Sequence, residues 1–218
     1  MIRLEVLDDA AALAERAAAE IVRAADAAVA ERGRFAWAVS GGATPLETLR
    51  RTRLPWDRTS TFQVDERVAP SGHPDRNLSA LTEALPAAAS PTVRPMPVEA
   101  DDLEGAGARY ARSLPERFDL VQLGVGEDGH TASLVPGDPV LEVQDRDVAV
   151  TAPYRGRRRM TLTYPPLDRA RRVLWLVTGR EKAAALAALL AGDRSIPAAR
   201  VAAGDQLVLT DVAAAGAR

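Results

Sequence analysis

"FDLVQLGV" (Phe118–Val125) runs directly into "GEDGHTASLVPG" (Gly126–Gly137), and how this junction is read decides the fold. The first stretch is apolar nearly throughout, the pattern of a strand buried on both faces. Such a strand needs a layer above it and a layer below. The second stretch opens on glycine, carries two acids and places one of the chain's 2 histidines just past the strand. Pro136-Gly137 is expected to cut short a helix beginning after the histidine. A neutral imidazole held at a strand end can take a proton near pH 7, which makes His130 a candidate for chemistry.

On either side of the junction, apolar runs alternate with helical stretches. Ile2–Leu7 reads as a strand, followed by a long helix capped near Asp8-Asp9 and ended by Gly33. Leu13, Ala17, Ile21, Ala24 and Ala28 recur every three or four residues, so Glu15, Arg16, Glu20 and Arg23 are expected on the other faces. Phe35–Val39 is a strand feeding Ser40-Gly-Gly-Ala-Thr-Pro45 and a helix over Leu46–Arg51. Thr59–Val64 is a third strand. Residues 65–77, "DERVAPSGHPDRN", read as a polar loop before a helix over Leu78–Leu85. Val93–Val98 is a proline-interrupted strand, and Asp101–Leu114 a helix. Val148–Thr151 and Arg159–Thr163 read as strands. Residues 171–192, "RRVLWLVTGREKAAALAALLAG", are strand, turn and helix, and Gln206–Thr210 is a last strand.

This alternation predicts a three-layer α/β fold, Rossmann-like, with a mostly parallel sheet flanked by helices. No repeat or linker divides the chain, so one domain over residues 1–218 is expected. In such sheets ligands bind beyond the carboxyl ends of the strands. Four polar loops lie there: Ser40–Pro45, Asp65–Asn77, Gly126–Pro136 and Gly179–Lys182. They are expected to converge on one sheet edge.

Composition narrows the function classes. Hydrophobic residues at 47% and charged residues at 27% suit a globular protein with a substantial core. Lys plus Arg at 28 against Asp plus Glu at 30 leaves a formal charge of −2, which argues against a nucleic-acid partner. The chain has no cysteine, hence no disulfide, thiolate nucleophile or cysteine metal site. No signal-like or membrane-spanning run is evident, so no membrane partner and a cytoplasmic location are expected.

Each polar loop has a chemical reading beside a plainer one. Ser40, Gly41, Gly42 and Thr44 suit a phosphate, through close backbone approach, a helix N-terminus and two hydroxyls. A capped strand–helix turn would look the same, and the glycine spacing fits neither the dinucleotide fingerprint nor the Walker loop. Asp65 and Arg67 could hold sugar hydroxyls or a developing negative oxygen, or could be a surface ion-pair cluster. His73, between glycine and proline, reads as a loop residue. Asp128 sits two residues before His130 and could fix its tautomer; Glu127 is a second choice. Two histidines in different loops make a poor metal set, so no metal is expected. In the basic run Arg155-Gly-Arg-Arg-Arg159, alternation sends Arg157 and Arg159 to one face and Arg158 to the other. Lys182 in a first helical turn opposes the helix dipole, a placement that makes sense if an anion sits there; pairing with Glu181 is the alternative.

Six stretches in order, "SGGATP", "DER", "HPDRN", "GVGEDGHTASLVPG", "RMTLT" and "VTGREKA", resemble the 6-phosphogluconolactonase family, single-domain sugar-lactone hydrolases of the pentose phosphate pathway. One departure is Arg76, where the family usually has serine. Glucosamine-6-phosphate deaminases share the Ser-Gly-Gly loop and Asp-Gly-His. Their pattern, however, has tyrosine where Arg67 stands and a further glutamate after the histidine, whereas "TASLVPG" offers no acid. The resemblance implies that water attacks C1 of a phosphorylated gluconolactone with His130 as general base. Asp128 would orient the ring, and Arg67 and Asp65 would lie near the reacting end. Ser40, Gly41, Gly42, Thr44, Arg159 and Lys182 would take the phosphate. No cofactor is implied, the partner is the sugar-phosphate substrate, and a monomer is expected. A deaminase or aldose–ketose isomerase ranks second. A sugar-phosphate sensor ranks third, since 218 residues leave no room for a DNA-binding helix-turn-helix.

Overall fold

Strand β1 (Ile2–Leu7) enters helix α1 (Ala10–Arg32) through Asp9, whose side chain accepts from the Ala12 amide at 2.8 Å. Such a cap contributes about 1 kcal/mol. Gly33 closes the helix in the left-handed region at φ 72°, its N–H returning to the Val29 carbonyl. The expected apolar face is buried, including Leu13, Ala17, Ile21 and Ala28. Glu20 departs from the expectation. It is only 3% exposed and forms ion pairs with Arg16, Arg23 and Arg172. Arg172 is remote in sequence, so nothing in the helix itself signals this burial. The computed structural model describes residues 2–216; Met1, Ala217 and Arg218, inside the expected domain bounds, lie outside the described residues.

After α1 come β2 (Phe35–Val39), α2 (Ala43–Arg51), β3 (Thr59–Gln63), β4 (Asp65–Arg67), α3 (Asn77–Ala84) and β5 (Val93–Arg94). The middle of the chain holds α4 (Leu103–Ser113), β6 (Leu120–Leu123), β7 (Val148–Val150) and β8 (Arg159–Leu162). It ends with α5 (Tyr164–Asp168), β9 (Val173–Val177), α6 (Ala183–Ala191) and β10 (Gln206–Asp211). Seven strands form one sheet in the order β1-β10-β9-β6-β2-β3-β5, parallel at every pairing. From β2 the chain steps to β3 and β5, then returns with β6 on the other side of β2. The strand order therefore reverses between β2 and β6, and a crevice opens at their carboxyl ends.

Alternation within the strands divides the core. Phe35, Trp37 and Val39 pack with Leu13, Ile21, Leu49 and Leu81 on one face, under α1, α2 and α3. Ala38, Phe62, Val121 and Trp175 pack on the other with residues of α4, α5 and α6 such as Tyr110, Leu167 and Leu186. Each fully buried large apolar side chain contributes roughly 1.5–3 kcal/mol of transfer free energy.

Three expectations need correction. Residues 65–67, read as the start of a loop, form β4 in a second, antiparallel sheet of order β4-β8-β7. A strand of three charged residues lacks the apolar alternation that reveals most strands. No helix follows His130: Gly129 at φ 79° and Ala132 at φ 49° leave the right-handed helical region, and Thr131 bridges Leu134 instead. The strand expected over Val93–Val98 shrinks to Val93–Arg94, because Pro95 and Pro97 have no N–H to donate to a ladder.

Candidate active site

A cavity of about 340 Å³ opens at the crevice, and all four expected loops reach it. Ser40, Gly41 and Gly42 line it after β2; Asp65, Arg67 and Asn77 after β3; Gly126, His130 and Ala132 after β6; Lys182 after β9. Arg155 and Arg159 complete the wall from the second sheet. Four cationic side chains (Arg67, Arg155, Arg159 and Lys182) thus face one carboxylate, Asp65.

The segment after β6 builds the histidine site. The Gly126 amide donates to the His130 carbonyl at 2.8 Å and the Gly129 amide to the Gly126 carbonyl at 2.9 Å, folding a tight turn. A Cβ on Gly126 would lie 2.0 Å from His130 Nδ1, so only glycine admits the ring there. Gly129 packs against Ile196, and its carbonyl accepts from the Ala198 amide at 3.0 Å, bracing the turn from outside. His130 Nδ1 and Asp128 Oδ1 are 2.5 Å apart, and the other oxygen of Asp128 accepts from the Tyr154 hydroxyl at 2.8 Å. Partial burial pushes the Asp128 carboxyl up, but the hydrogen bonds from His130 and Tyr154 outweigh it and hold the group at about 2. An ionised acceptor on Nδ1 leaves Nε2 as the free basic nitrogen. Glu127, the other candidate for orienting the ring, instead lies 3.8 Å from Lys182 Nζ.

The second sheet supplies the opposite wall. Arg67 pairs with Arg159 and Asp65 with Thr161 across the antiparallel ladder. Period-two alternation sends Asp65 and Arg67 toward the cavity and Glu66 away from it. The Glu66 carboxylate is fully buried and accepts from the amides of Asn77 and Leu78, each at 2.8 Å, at the start of α3. Asp65 accepts from Ser133 Oγ at 2.6 Å and from Asn77 Nδ2 at 3.0 Å. Two arginines directly opposite repel each other. Nε of each is buried without a hydrogen-bond partner, and desolvation together with Arg67 lowers the Arg159 pKa despite Asp65. An anion placed between them would relieve that repulsion.

Ser40 ties the first loop to the central strand: its amide donates to Gln122 Oε1 at 3.1 Å across the crevice. A Cβ on Gly41 would meet Asn77 Oδ1 at 2.2 Å, and Gly42 at φ 113° begins α2 without a side-chain cap. The first-turn amides of α2 are thereby left to a ligand or to water. Thr44 lies off the cavity wall, its hydroxyl 2.7 Å from that of Thr178. Asp128 stands behind the imidazole rather than on the wall. His73 bonds within its own loop and to Arg157, which also pairs with Asp75 at 2.6 Å. Of the expected arginine triplet, only Arg159 reaches the cavity.

A family model described as glucosamine-6-phosphate isomerases/6-phosphogluconolactonase matches residues 8–210. The chain belongs to this family. Within it, a 6-phosphogluconolactonase of Synechocystis sp. is 38% identical over 208 residues, covering 87% of this chain and 85% of the relative. The crystal structure of 6-phosphogluconolactonase from Thermotoga maritima aligns with a TM-score of 0.86 at 27% identity, over 97% of this chain and 99% of that one. A monomeric glucosamine-6-phosphate deaminase aligns with a TM-score of 0.85 at 21% identity over 99% and 100%. Both chemistries thus occur on this fold, and the side chains must decide between them.

Against the family pattern, Arg76 turns away from the cavity. It is 3% exposed, with Nε 3.2 Å from Glu66, and Nη1 2.7 Å from Glu99 and 2.9 Å from the Ala69 carbonyl. It braces the loop that presents Asn77. Sequence reasoning missed Asn77, Ser133, Tyr154 and Arg155. Tyr154 stands immediately before the basic run Arg155–Arg159, and the chain has only 3 tyrosines, so an aromatic beside clustered arginines is the one local signal.

Proposed function

We propose that this protein hydrolyses 6-phospho-D-glucono-1,5-lactone to 6-phospho-D-gluconate, the lactone-opening step of the oxidative pentose phosphate pathway. The observation that carries the reading is an aspartate-held imidazole in a cavity whose other walls present four cations and a single carboxylate. His130 Nε2 takes a proton from water as the oxygen attacks C1, and the imidazolium is stabilised by Asp128. The tetrahedral oxyanion then collapses, the C1–ring oxygen bond breaks, and the proton passes to the departing ring oxygen. General-base assistance of this kind supplies about 10²–10⁴-fold. A lactone is already an activated ester, so side chains suffice for this route.

Arg67 and Asp65 hold the reacting end and the sugar hydroxyls, while Arg159, Lys182, Ser40 and the Gly41-Gly42 turn take the phosphate. A deaminase would move a proton between adjacent carbons with a further acid, and the residues after His130 bring none before Asp138. The protein acts as a single domain over residues 1–218, since one apolar cluster joins Phe62 and Val121 of the large sheet to Val148 and Met160 of the small one. It acts as a monomer: among the described residues, the exposed large apolar side chains are Leu4, Val6, Leu190 and Val212. Its place is the cytoplasm, where a sugar phosphate is too highly charged to leave across a bilayer. The test generates the lactone in situ and compares its loss with the spontaneous rate. Acceleration is expected; none, or ammonia release from glucosamine 6-phosphate, would overturn the reading.

A further inference from the structure

Tyr154 is absent from the cavity wall yet touches both halves of the site. Its hydroxyl donates to Asp128 Oδ2 at 2.8 Å, while Asp128 Oδ1 holds His130 Nδ1 at 2.5 Å. Its ring meets the imidazole edge-on, with centroids 5.7 Å apart. The guanidinium carbons of Arg159 and Arg155 stand 4.9 and 5.3 Å from the ring centroid. The residue is itself pinned: its amide donates to the Arg157 carbonyl at 2.9 Å, and the Arg157 amide donates back to the Tyr154 carbonyl at 3.3 Å. Directly after it Arg155 adopts φ 52°, a conformation that a non-glycine residue holds only where its surroundings enforce it.

We propose that Tyr154 is a positioning residue, whose hydroxyl fixes the Asp128 carboxylate against His130 and whose ring sets Arg155 and Arg159 beside that same pair. The proposal rests on the lactonase reading for its kinetic consequences only. Asp128 is partly exposed, with a side-chain exposure of 36%, and both hydrogen bonds from His130, from ring Nδ1 and from the backbone amide at 3.2 Å, fall on Oδ1, so Oδ2 by itself would be free to turn toward water. A second anchor on the other oxygen removes that freedom. The anchor is neutral, so the negative charge that stabilises the imidazolium stays on Asp128; an arginine or lysine there would cancel it. The electron-rich face of the ring meanwhile gives both guanidinium groups a common platform.

The test compares Tyr154→Phe and Tyr154→Leu with the intact protein, each first checked by circular dichroism and thermal melting. For Tyr154→Phe, kcat should fall about tenfold or more, the size of one lost hydrogen bond to a charged group, with KM within about twofold. The acid limb of its kcat profile, followed over about pH 5 to 8, should be displaced, which a merely space-filling tyrosine would not cause. Tyr154→Leu should in addition raise KM several-fold. Independently of turnover, the proton on His130 Nδ1 should give a strongly downfield NMR resonance that weakens in Tyr154→Phe. The chain has only 2 histidines, so His73→Gln assigns the signal. A phenylalanine variant with unchanged kcat, pH profile and Nδ1 resonance overturns the proposal. If the intact protein fails to accelerate lactone hydrolysis, the lactonase reading falls, and the resonance still decides the role of Tyr154.

Discussion

His130 Nδ1 lies 2.5 Å from Asp128 Oδ1, so the carboxylate dictates which imidazole nitrogen carries the proton. Asp128→Asn can turn its amide N–H toward Nδ1 and favour the opposite tautomer, in which Nε2 no longer serves as base. Both His130→Ala and Asp128→Asn should lower kcat by about 10²–10⁴-fold with little change in KM. Initial rates corrected for spontaneous hydrolysis check this, and full activity in His130→Ala would remove it as the base.

Gly126 makes a sharper geometric test than either dyad residue. A Cβ there would sit 2.0 Å from His130 Nδ1 and 2.7 Å from Asp128 Oδ1, so Gly126→Ala must displace the ring. A misplacement near 1 Å costs about 10²-fold in rate. The thermal midpoint should fall modestly as well, because Gly126 is buried and the displaced ring loses its hydrogen bond to Asp128, while the fold, checked by circular dichroism, should persist. Retained activity would show that the imidazole position is not critical.

The cationic wall should act on binding more than on chemistry. Arg159→Ala and Lys182→Ala are expected to raise KM with kcat little affected, since phosphate contacts persist from ground state to transition state. A large loss of kcat at constant KM would place these residues at the reacting carbonyl instead. Steady-state kinetics at fixed ionic strength distinguishes the two.

Much of this frame is legible in the residues, for physical reasons that also mark where legibility ends. Phe118–Val125 announces itself because burial on both faces removes every polar residue but two, and α1 because Asp9 and Gly33 cap it. Loop convergence follows from the parallel sheet. By contrast, β4 is three charged residues whose partner, β8, lies some ninety positions away, and neither periodicity nor propensity reports such pairing. Glu20 reads as an outer-face residue until Arg172 arrives from beside β9. Tyr154 acts through Asp128, and no local pattern encodes a contact across that distance.

Stability should follow the ionisation of Asp128 at low pH. Its carboxyl is held at about 2 against an ordinary 3.8, by hydrogen bonds from His130 and Tyr154 that override desolvation. A depressed folded-state value means that the contribution is fully present above the unfolded value of 3.8 and is lost as pH falls through about 2. The gap in urea midpoint between the intact protein and Asp128→Asn should therefore persist down to pH 3.8 and close as pH falls from there toward 2. A gap that closes at higher pH would contradict the hydrogen-bonded carboxylate.

Arg76 tests whether the departure from the family pattern is structural. Its guanidinium is buried beside the fully buried Glu66 carboxylate, 3.2 Å away. Removing one partner of such a pair costs about 3–5 kcal/mol, because the other charge is left in a low dielectric. Glu66 keeps hydrogen bonds from the Asn77 and Leu78 amides and from Gln63 Nε2 at 3.0 Å, which places Arg76→Ala toward the lower end of that range. The denaturation midpoint should fall clearly. KM should rise modestly, since Asn77, the next residue, donates to Asp65 on the cavity wall. Arg76→Met should recover packing but not the charge, so it should stay destabilised. A methionine variant as stable as the parent would show that the buried pair adds nothing over an apolar contact.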